Sequence, residues 1–574
     1  MVNPRVETPG VRSAKTPGVS EPSPWLVLAL VCLPVFIGAL DLTIVSAVLP
    51  TVIFELKIPV QTGLDDAAWI VSGYLLAYAV SMTFMGRVSD LLGRRRVFLI
   101  CLGIFFLGSW WVAATEGTPA QLASRLARLI TGERPDRSMM ALYALITGRV
   151  VQAFGAGAIV PVSMALAGDL FPPARRALPL GLVGAVDTAG WVLGHLYGGI
   201  MVQYFRWQVL FWINLPIVAL AFALIWWALR GLKQTLASGG VDGWGTALIS
   251  LSLIGLNVGL AANESTASSV ALPDKSPPYA VPVLIGAAVA FLAFLWVERR
   301  SAAPLLNLQR FSDRNVRAAT TTNLLVGFCL MVGLVSVPLL INAVGARTSE
   351  EGALVSGYLL SAFTIPMALA AIPGGLLAER LGFRWTPALG LALALAGFIL
   401  MTRWQPEMAR LAVEWVAALG SRTAPTPEMW QSLLRMIAGL LLAGVGLGVT
   451  IAPIGAAVIN AVPDSERGIA SALVIILRLI GMTVSVSGTT TFGVRRAAAL
   501  LKSALAGVPL TEAQKIGEVT QRVTTQVTSE MAWIAAGVCL LALVTALGLR
   551  SAASPPAAPP LPTVPFQSGE GAGG

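Results

Sequence analysis

Apolar residues along this chain gather into runs of roughly twenty, separated by short stretches that hold charge, proline or glycine. The runs predict helices near 25–51, 66–86, 97–115, 141–169, 178–201, 208–229, 243–263, 280–297, 317–343, 353–378, 385–402, 430–459, 468–492 and 530–549. A helix of about twenty residues crosses about 30 Å of hydrocarbon while bonding every backbone amide internally. A closed barrel would show strict alternation instead. The first run, Trp25 to Leu49, is too long for a signal-peptide core and is expected to remain as the first crossing.

Composition agrees with that pattern: of 574 residues 56% are hydrophobic and only 12% charged, against about a quarter charged in soluble domains. A formal net charge of +10 could point to nucleic acid. The arginines instead sit in short connections between apolar runs, so the charge reads as orientation in the membrane and no nucleic-acid partner is expected. With the N-terminus in the cytoplasm, the inside connections are the basic ones, from Arg87 with Arg94 to Arg96, through Arg175 and Arg176, to Arg380 and Arg384. The expected location is the cell membrane, multi-pass, with both termini cytoplasmic. The longer outside connections, 116–140 and 403–429, mix signs and read as amphipathic helical extensions, and 494–529 is a third long outer stretch. The four cysteines lie far apart inside apolar runs, without metal-site spacing, and read as packing residues.

An internal repeat organises the helices. Gly86, Asp90, Gly93 and Arg94 close the second helix, and Gly375, Glu379, Gly382 and Arg384 close the tenth with the same glycine-to-acid-to-glycine spacing. Two related halves follow, residues 25–229 and 317–549, with a spare helix pair at 243–297, a cytoplasmic segment at 1–24 and a disordered cytoplasmic tail rich in Pro, Ala and Gly at 550–574.

Ionisable groups inside apolar helices cost about 2.5–3.5 kcal/mol each on insertion scales, so each is a functional candidate. Asp41 in the first helix, Arg149 in the fourth, Asp187 in the fifth and Arg478 in the thirteenth are the four that stand out. Burial favours a neutral acid and a neighbouring guanidinium favours the carboxylate, so proton affinity at such a pair follows conformation. A purely structural intramembrane ion pair is the competing reading. Gly190, Gly194 and Gly198 form a small-residue stripe suited to close helix packing. His195, the single histidine, could contact substrate or relay protons. The chain has no phosphate-binding Gly-x-x-x-x-Gly-Lys-Ser/Thr loop, no His-Glu-x-x-His pair and no Gly-x-Ser-x-Gly elbow. An enzyme is therefore not expected, and an ion gradient takes the place of a cofactor.

The run Gly86 to Arg96 resembles the cytoplasmic signature loop of the major facilitator superfamily. Leu40 to Pro50, Arg149 with its surroundings, Phe205-Arg206-Trp207, Ile213-Asn214-Leu215-Pro216, and Gly468 to Ala472 with Arg478 to Gly481 resemble its fourteen-helix drug:proton antiporter branch. The resemblance implies an all-α membrane protein of two six-helix bundles plus a two-helix insert. It also implies proton-coupled efflux of hydrophobic or amphipathic compounds by alternating access, of the multidrug type, with Arg149 implicated in proton transfer and the signature loop in conformational switching. In the fifth helix the branch carries Gly-Pro-x-x-Gly-Gly, whereas this chain has Gly194-His195-Leu196-Tyr197-Gly198-Gly199. That departure, and the run Ala185 to Gly198, resemble mycobacterial lipid-exporting members, which also lengthen the outer ends of their eleventh and twelfth helices. Export of a lipid or glycolipid is thus the alternative, and a non-transporting membrane sensor or assembly partner is the rival from another class.

Overall fold

A computed structural model describes residues 22–58, 64–132, 136–230, 242–267, 279–301, 312–344, 349–421, 424–505 and 513–550, together with Leu236 and Gly240. The expected terminal segments therefore lie almost wholly outside the described residues. All regular structure among the described residues is helical. The elements are α1 (Pro24–Glu55), α2 (Leu64–Leu92), α3 (Arg94–Ala113), α4 (Thr118–Thr131), α5 (Arg137–Leu170), α6 (Ala177–Tyr204), α7 (Gln208–Ala228), α8 (Gly243–Ala267) and α9 (Ala280–Glu298). They continue with α10 (Arg314–Val344), α11 (Ser349–Met401), α12 (Pro406–Ser421), α13 (Pro427–Asn460), α14 (Arg467–Ala504) and α15 (Ala513–Leu547).

Eleven of these are long and apolar enough to cross a membrane. One of the spans, Val355–Met401, runs for 47 residues and bends at Gly382, where φ is 79° and ψ 174°. At 1.5 Å per residue it is about 70 Å long, enough for two crossings. With α6 and the shorter apolar stretch of α8, fourteen crossings are compatible with the structure.

The outer connections differ in form from simple extensions of the membrane helices. Residues 118–131 and 406–421 are separate helices, α4 and α12. Proline sets the breaks: Pro119 lies in the first turn of α4, Pro406 begins α12, and Pro427 begins α13 behind a Thr426 side chain that accepts from the Met429 amide. A proline has no N–H to give to the preceding turn, so it suits a helix start and interrupts a helix that runs into it. The stretch 494–529, by contrast, is mostly helix. Residues 495–502 are Arg, Ala, Leu and Lys, strong helix formers too polar to register as an apolar run. They carry α14 to 38 residues, about 57 Å. Arg496 pairs with Glu530 at 2.8 Å across the resulting hairpin.

In the N-terminal set α1 packs on α6, α2 and α3 pack on α5, and α3 packs on α7. In the C-terminal set α11 packs on α13, while α10 packs on α14 and α15. The pair α8 and α9 pack on each other, and α8 also touches α2 of one set and α14 of the other. All four cysteines are free, three buried and Cys32 half-buried.

The two sets meet at the end of the bundle that carries Gly93 and Gly382. There the Asp90 carboxylate accepts from the backbone amides of Gly468 and Ile469, at 2.9 and 3.1 Å, in the first turn of α14. Arg467 pairs with Asp169 at 2.8 Å, Arg176 donates to Asn460 Oδ1 at 3.0 Å, and Ser471 donates to the Pro161 carbonyl at 2.7 Å. Burial and the nearby Arg467 charge lower the Arg176 guanidinium to about 10.

Candidate functional site

Asp41 lies 17 residues into α1 and Arg149 lies 12 residues into α5, so the two reach the same depth from opposite directions. The Arg149 Nη1 donates to Asp41 Oδ2 at 2.6 Å, and its Nη2 donates to the Asp41 carbonyl at 3.2 Å. Gln152, one turn after Arg149, closes the arrangement: its Nε2 donates to Asp41 Oδ1 at 3.1 Å and to Ser109 Oγ at 2.9 Å, while its Oε1 accepts from Arg149 at 2.6 Å. Asn214 of α7 donates to the same Asp41 oxygen at 3.3 Å. The guanidinium stacks 3.9 Å from the centre of the Tyr74 ring, a cation–π contact that offsets part of the cost of burying the charge. Asp41, Arg149 and Gln152 are all 0% exposed. Every member of this network belongs to the N-terminal set of helices.

The second pair joins the two sets. Arg478 Nη2 of α14 donates to Asp187 Oδ2 of α6 at 3.3 Å, with side-chain exposures of 13% and 6%. The other carboxylate oxygen, Asp187 Oδ1, is buried and has no hydrogen-bond partner, and one turn further along α6 the indole Nε1 of Trp191 is also buried without one. Asp187 and Arg478 lie 10 and 11 residues from the starts of their helices, about 15 Å from the closed end. Beyond this pair no hydrogen bond joins α6 to the C-terminal set among the described residues. Within its own set α6 is bonded to α1, where the Thr43 hydroxyl donates to the Trp191 carbonyl at 2.9 Å.

The glycine stripe has a packing role in the structure. A Cβ on Gly190 would lie 2.6 Å from the Phe36 carbonyl, and one on Gly194 would lie 2.5 Å from the Leu40 carbonyl, so only glycine lets α6 lie this close to α1. Gly198 is buried on the same helix. His195 belongs to α6, but its side chain lies outside the described residues.

The two glycine–acid loops have unequal settings. Gly93 has φ 93° and Gly382 φ 79°, both in the region open to glycine. Asp90 is 1% exposed and pairs with Arg94. Gly86 abuts Gly468 and Ala472 of α14, and Gly375 abuts Ala177 and Leu178 of α6, so each half's loop lies at the start of the other half's helix. Glu379, however, is exposed and makes no hydrogen bond or ion pair among the described residues.

Gln152, Asn214, Ser109 and Tyr74 escaped the sequence reading as site residues. A signal was present for two of them: Gln152 follows Arg149 at helical spacing, and Asn214 interrupts an apolar run.

Two sets of apolar helices, closed on each other at one end and holding buried charges midway, define a membrane transporter. A family model described as Major Facilitator Superfamily matches residues 31–355, and the chain belongs to that superfamily. It is 33% identical to a triacylglyceride transporter of Mycolicibacterium hassiacum, covering 90% of each chain. It is 32% identical to a triacylglyceride transporter of Mycobacterium tuberculosis, over 90% of this chain and 92% of that one. Among solved structures, the human organic anion transporter MFSD10 aligns with a TM-score of 0.54 at 16% identity, over 92% of this chain and 100% of that chain. A proton:xylose symporter aligns with a TM-score of 0.51 at 12% identity, over 89% and 94%. These likenesses fix the fold: an all-α membrane protein of the major facilitator type, a transporter and not an enzyme.

Proposed function

We propose that this protein exports a neutral acyl lipid of the acylglycerol class by alternating access, driven by proton entry through the cell membrane. The loop-bearing end faces the cytoplasm in this reading, so the structure corresponds to a state closed on the inside. The relatives favour the lipid reading over export of assorted drugs, since two triacylglyceride transporters match at 32–33% identity over nine-tenths of the chain.

The observation that carries the mechanism is the difference between the two buried ion pairs. Asp41 and Arg149 lie within one set of helices, held together by Gln152 and Asn214, so rigid rocking of one set against the other leaves them in contact. Asp187 and Arg478 lie on opposite sets and must part when the closed end opens. Separation leaves the Asp187 carboxylate without its counter-charge, and a proton then neutralises it. Asp41 serves as a second protonatable carboxylate, enclosed within the N-terminal set, with Arg149 as its partner. The free Asp187 oxygen and the free Trp191 N–H offer one acceptor and one donor to the polar backbone of a lipid whose acyl chains remain in apolar surroundings.

The test reconstitutes the full chain in liposomes with an imposed pH gradient and follows movement of a labelled triacylglycerol. Asp41→Asn is expected to abolish gradient-driven movement while circular dichroism shows an intact helical fold. Unimpaired transport by that variant would remove Asp41 from the mechanism. Failure of the unaltered protein to move the lipid would overturn the substrate class.

A further inference from the structure

The helices α4 and α12 occupy equivalent places, each joining the third and fourth crossings of its half at the end away from the glycine–acid loops. They are packed differently. On α12, Met408, Ala409, Ala412 and Val413 are buried, so its apolar face is spent on its own half. On α4 only the alanine side is turned inward, with Ala120 4% exposed, and the helix rests on α5. Leu122, Leu126 and Leu129 recur at helical spacing and are left 45%, 51% and 82% exposed. Beside that stripe stand Arg125 and Arg128, both exposed and without an ion pair among the described residues.

An apolar stripe edged by arginine on a 14-residue helix is the pattern of a helix lying in the plane of a membrane surface. Its neighbours place that surface. The exposed side chains of α3 and α5 next to it, Leu107, Trp110 and Tyr143, belong to the lipid-facing belt, and Trp and Tyr mark its head-group level. The leucine stripe continues that belt.

We propose that α4 is an in-plane anchor. Its leucines enter the acyl region of the leaflet at the end opposite the loops, and Arg125 and Arg128 bind the phosphates of anionic phospholipids there. The anchor belongs to the N-terminal half, because among the described residues of α12 the apolar side chains are turned onto its own half. It fixes the height of that half in the leaflet while the other half moves. The proposal does not depend on what is transported.

The full chain in nanodiscs, with and without phosphatidylglycerol, tests this. Spin labels placed through Leu126→Cys and Gln121→Cys report depth by collision with oxygen and with a water-soluble nickel chelate. Position 126 is expected to favour oxygen and position 121 the chelate. Equal chelate access at both positions, as for a helix standing in water or awaiting a soluble partner, overturns the anchor. Arg125→Gln with Arg128→Gln, both exposed and harmless to folding, is expected to lower the enrichment of phosphatidylglycerol over phosphatidylcholine in lipid retained by the protein. The expected loss is about fivefold for each arginine. Unchanged enrichment overturns the head-group assignment while leaving the leucine arm to be judged by the labels.

Discussion

The loop from Gly86 to Arg94 and the loop from Gly375 to Arg384 share one spacing but have different surroundings. The first ends in a buried carboxylate that is bonded to Arg94 and to two backbone amides of α14, with Arg94 also reaching Asp169 at 3.3 Å. The amides at a helix start carry partial positive charge, so Asp90 docks on α14 as an anion does on any helix N-terminus. The second loop brings Gly375 equally close to the start of α6, yet Glu379 stays in solvent. Arg176 precedes α6 and donates to the Phe171 carbonyl at 2.9 Å and to Asn460, so on that side a cation joins the halves. A repeat in sequence has thus become one carboxylate clasp and one guanidinium clasp, and the two can be opened separately.

The largest expected effect is from Asp90→Ala. Removing one partner of a buried ion pair costs about 3–5 kcal/mol, and the lower figure applies because Asp169 still faces Arg94. Closed-end contacts should loosen, and hydrogen exchange at the Gly468 and Ile469 amides should rise sharply. Slow exchange at those amides in the variant would show that Asp90 does not hold α14.

An intermediate effect is expected where the loops agree. Gly93→Ala and Gly382→Ala each force a side chain into backbone conformations suited to glycine, φ 93° with ψ 140° and φ 79° with ψ 174°. The strain is about 1–3 kcal/mol at each site. Both variants should lower the thermal unfolding midpoint in detergent by similar amounts. A drop at one position only would end the local equivalence of the two loops.

Much of this fold is legible in the chain, because crossing a membrane imposes both length and apolarity on each helix. Proline marks the starts of α12 and α13 in plain view. The hairpin of α14 and α15 was hidden, since alanine, arginine and lysine make helix without making an apolar run. Asp41, Arg149, Asp187 and Arg478 stand out as charges among apolar neighbours. Their pairing does not, because the partners are 108 and 291 residues apart and only the packing of α1 on α5 and of α6 near α14 brings them together. Gln152 and Asn214 are neutral, and neutral polar residues in membrane helices cost less than charges, so the spacing of Gln152 from Arg149 and the place of Asn214 in an apolar run are weaker signals than the charges give.

The smallest effect is expected from Glu379→Gln, and it bears most directly on the difference between the loops. Spacing alone makes Glu379 the counterpart of Asp90 and would assign it the same clasp. Its exposure, and the absence of a partner among the described residues, place it among surface positions, where substitutions change stability by about 0.5 kcal/mol or less. The variant should unfold at the temperature of the unaltered protein, and the amides at the start of α6 should exchange as before. Its transport rate carries the sharper information. If Glu379 stays in solvent throughout the cycle, transport continues unchanged. If transport falls as steeply as in Asp90→Ala while the closed end stays protected, Glu379 docks in the state open to the loop-bearing side. The two clasps would then alternate, and the asymmetry between the loops would belong to one conformation instead of to the sequence.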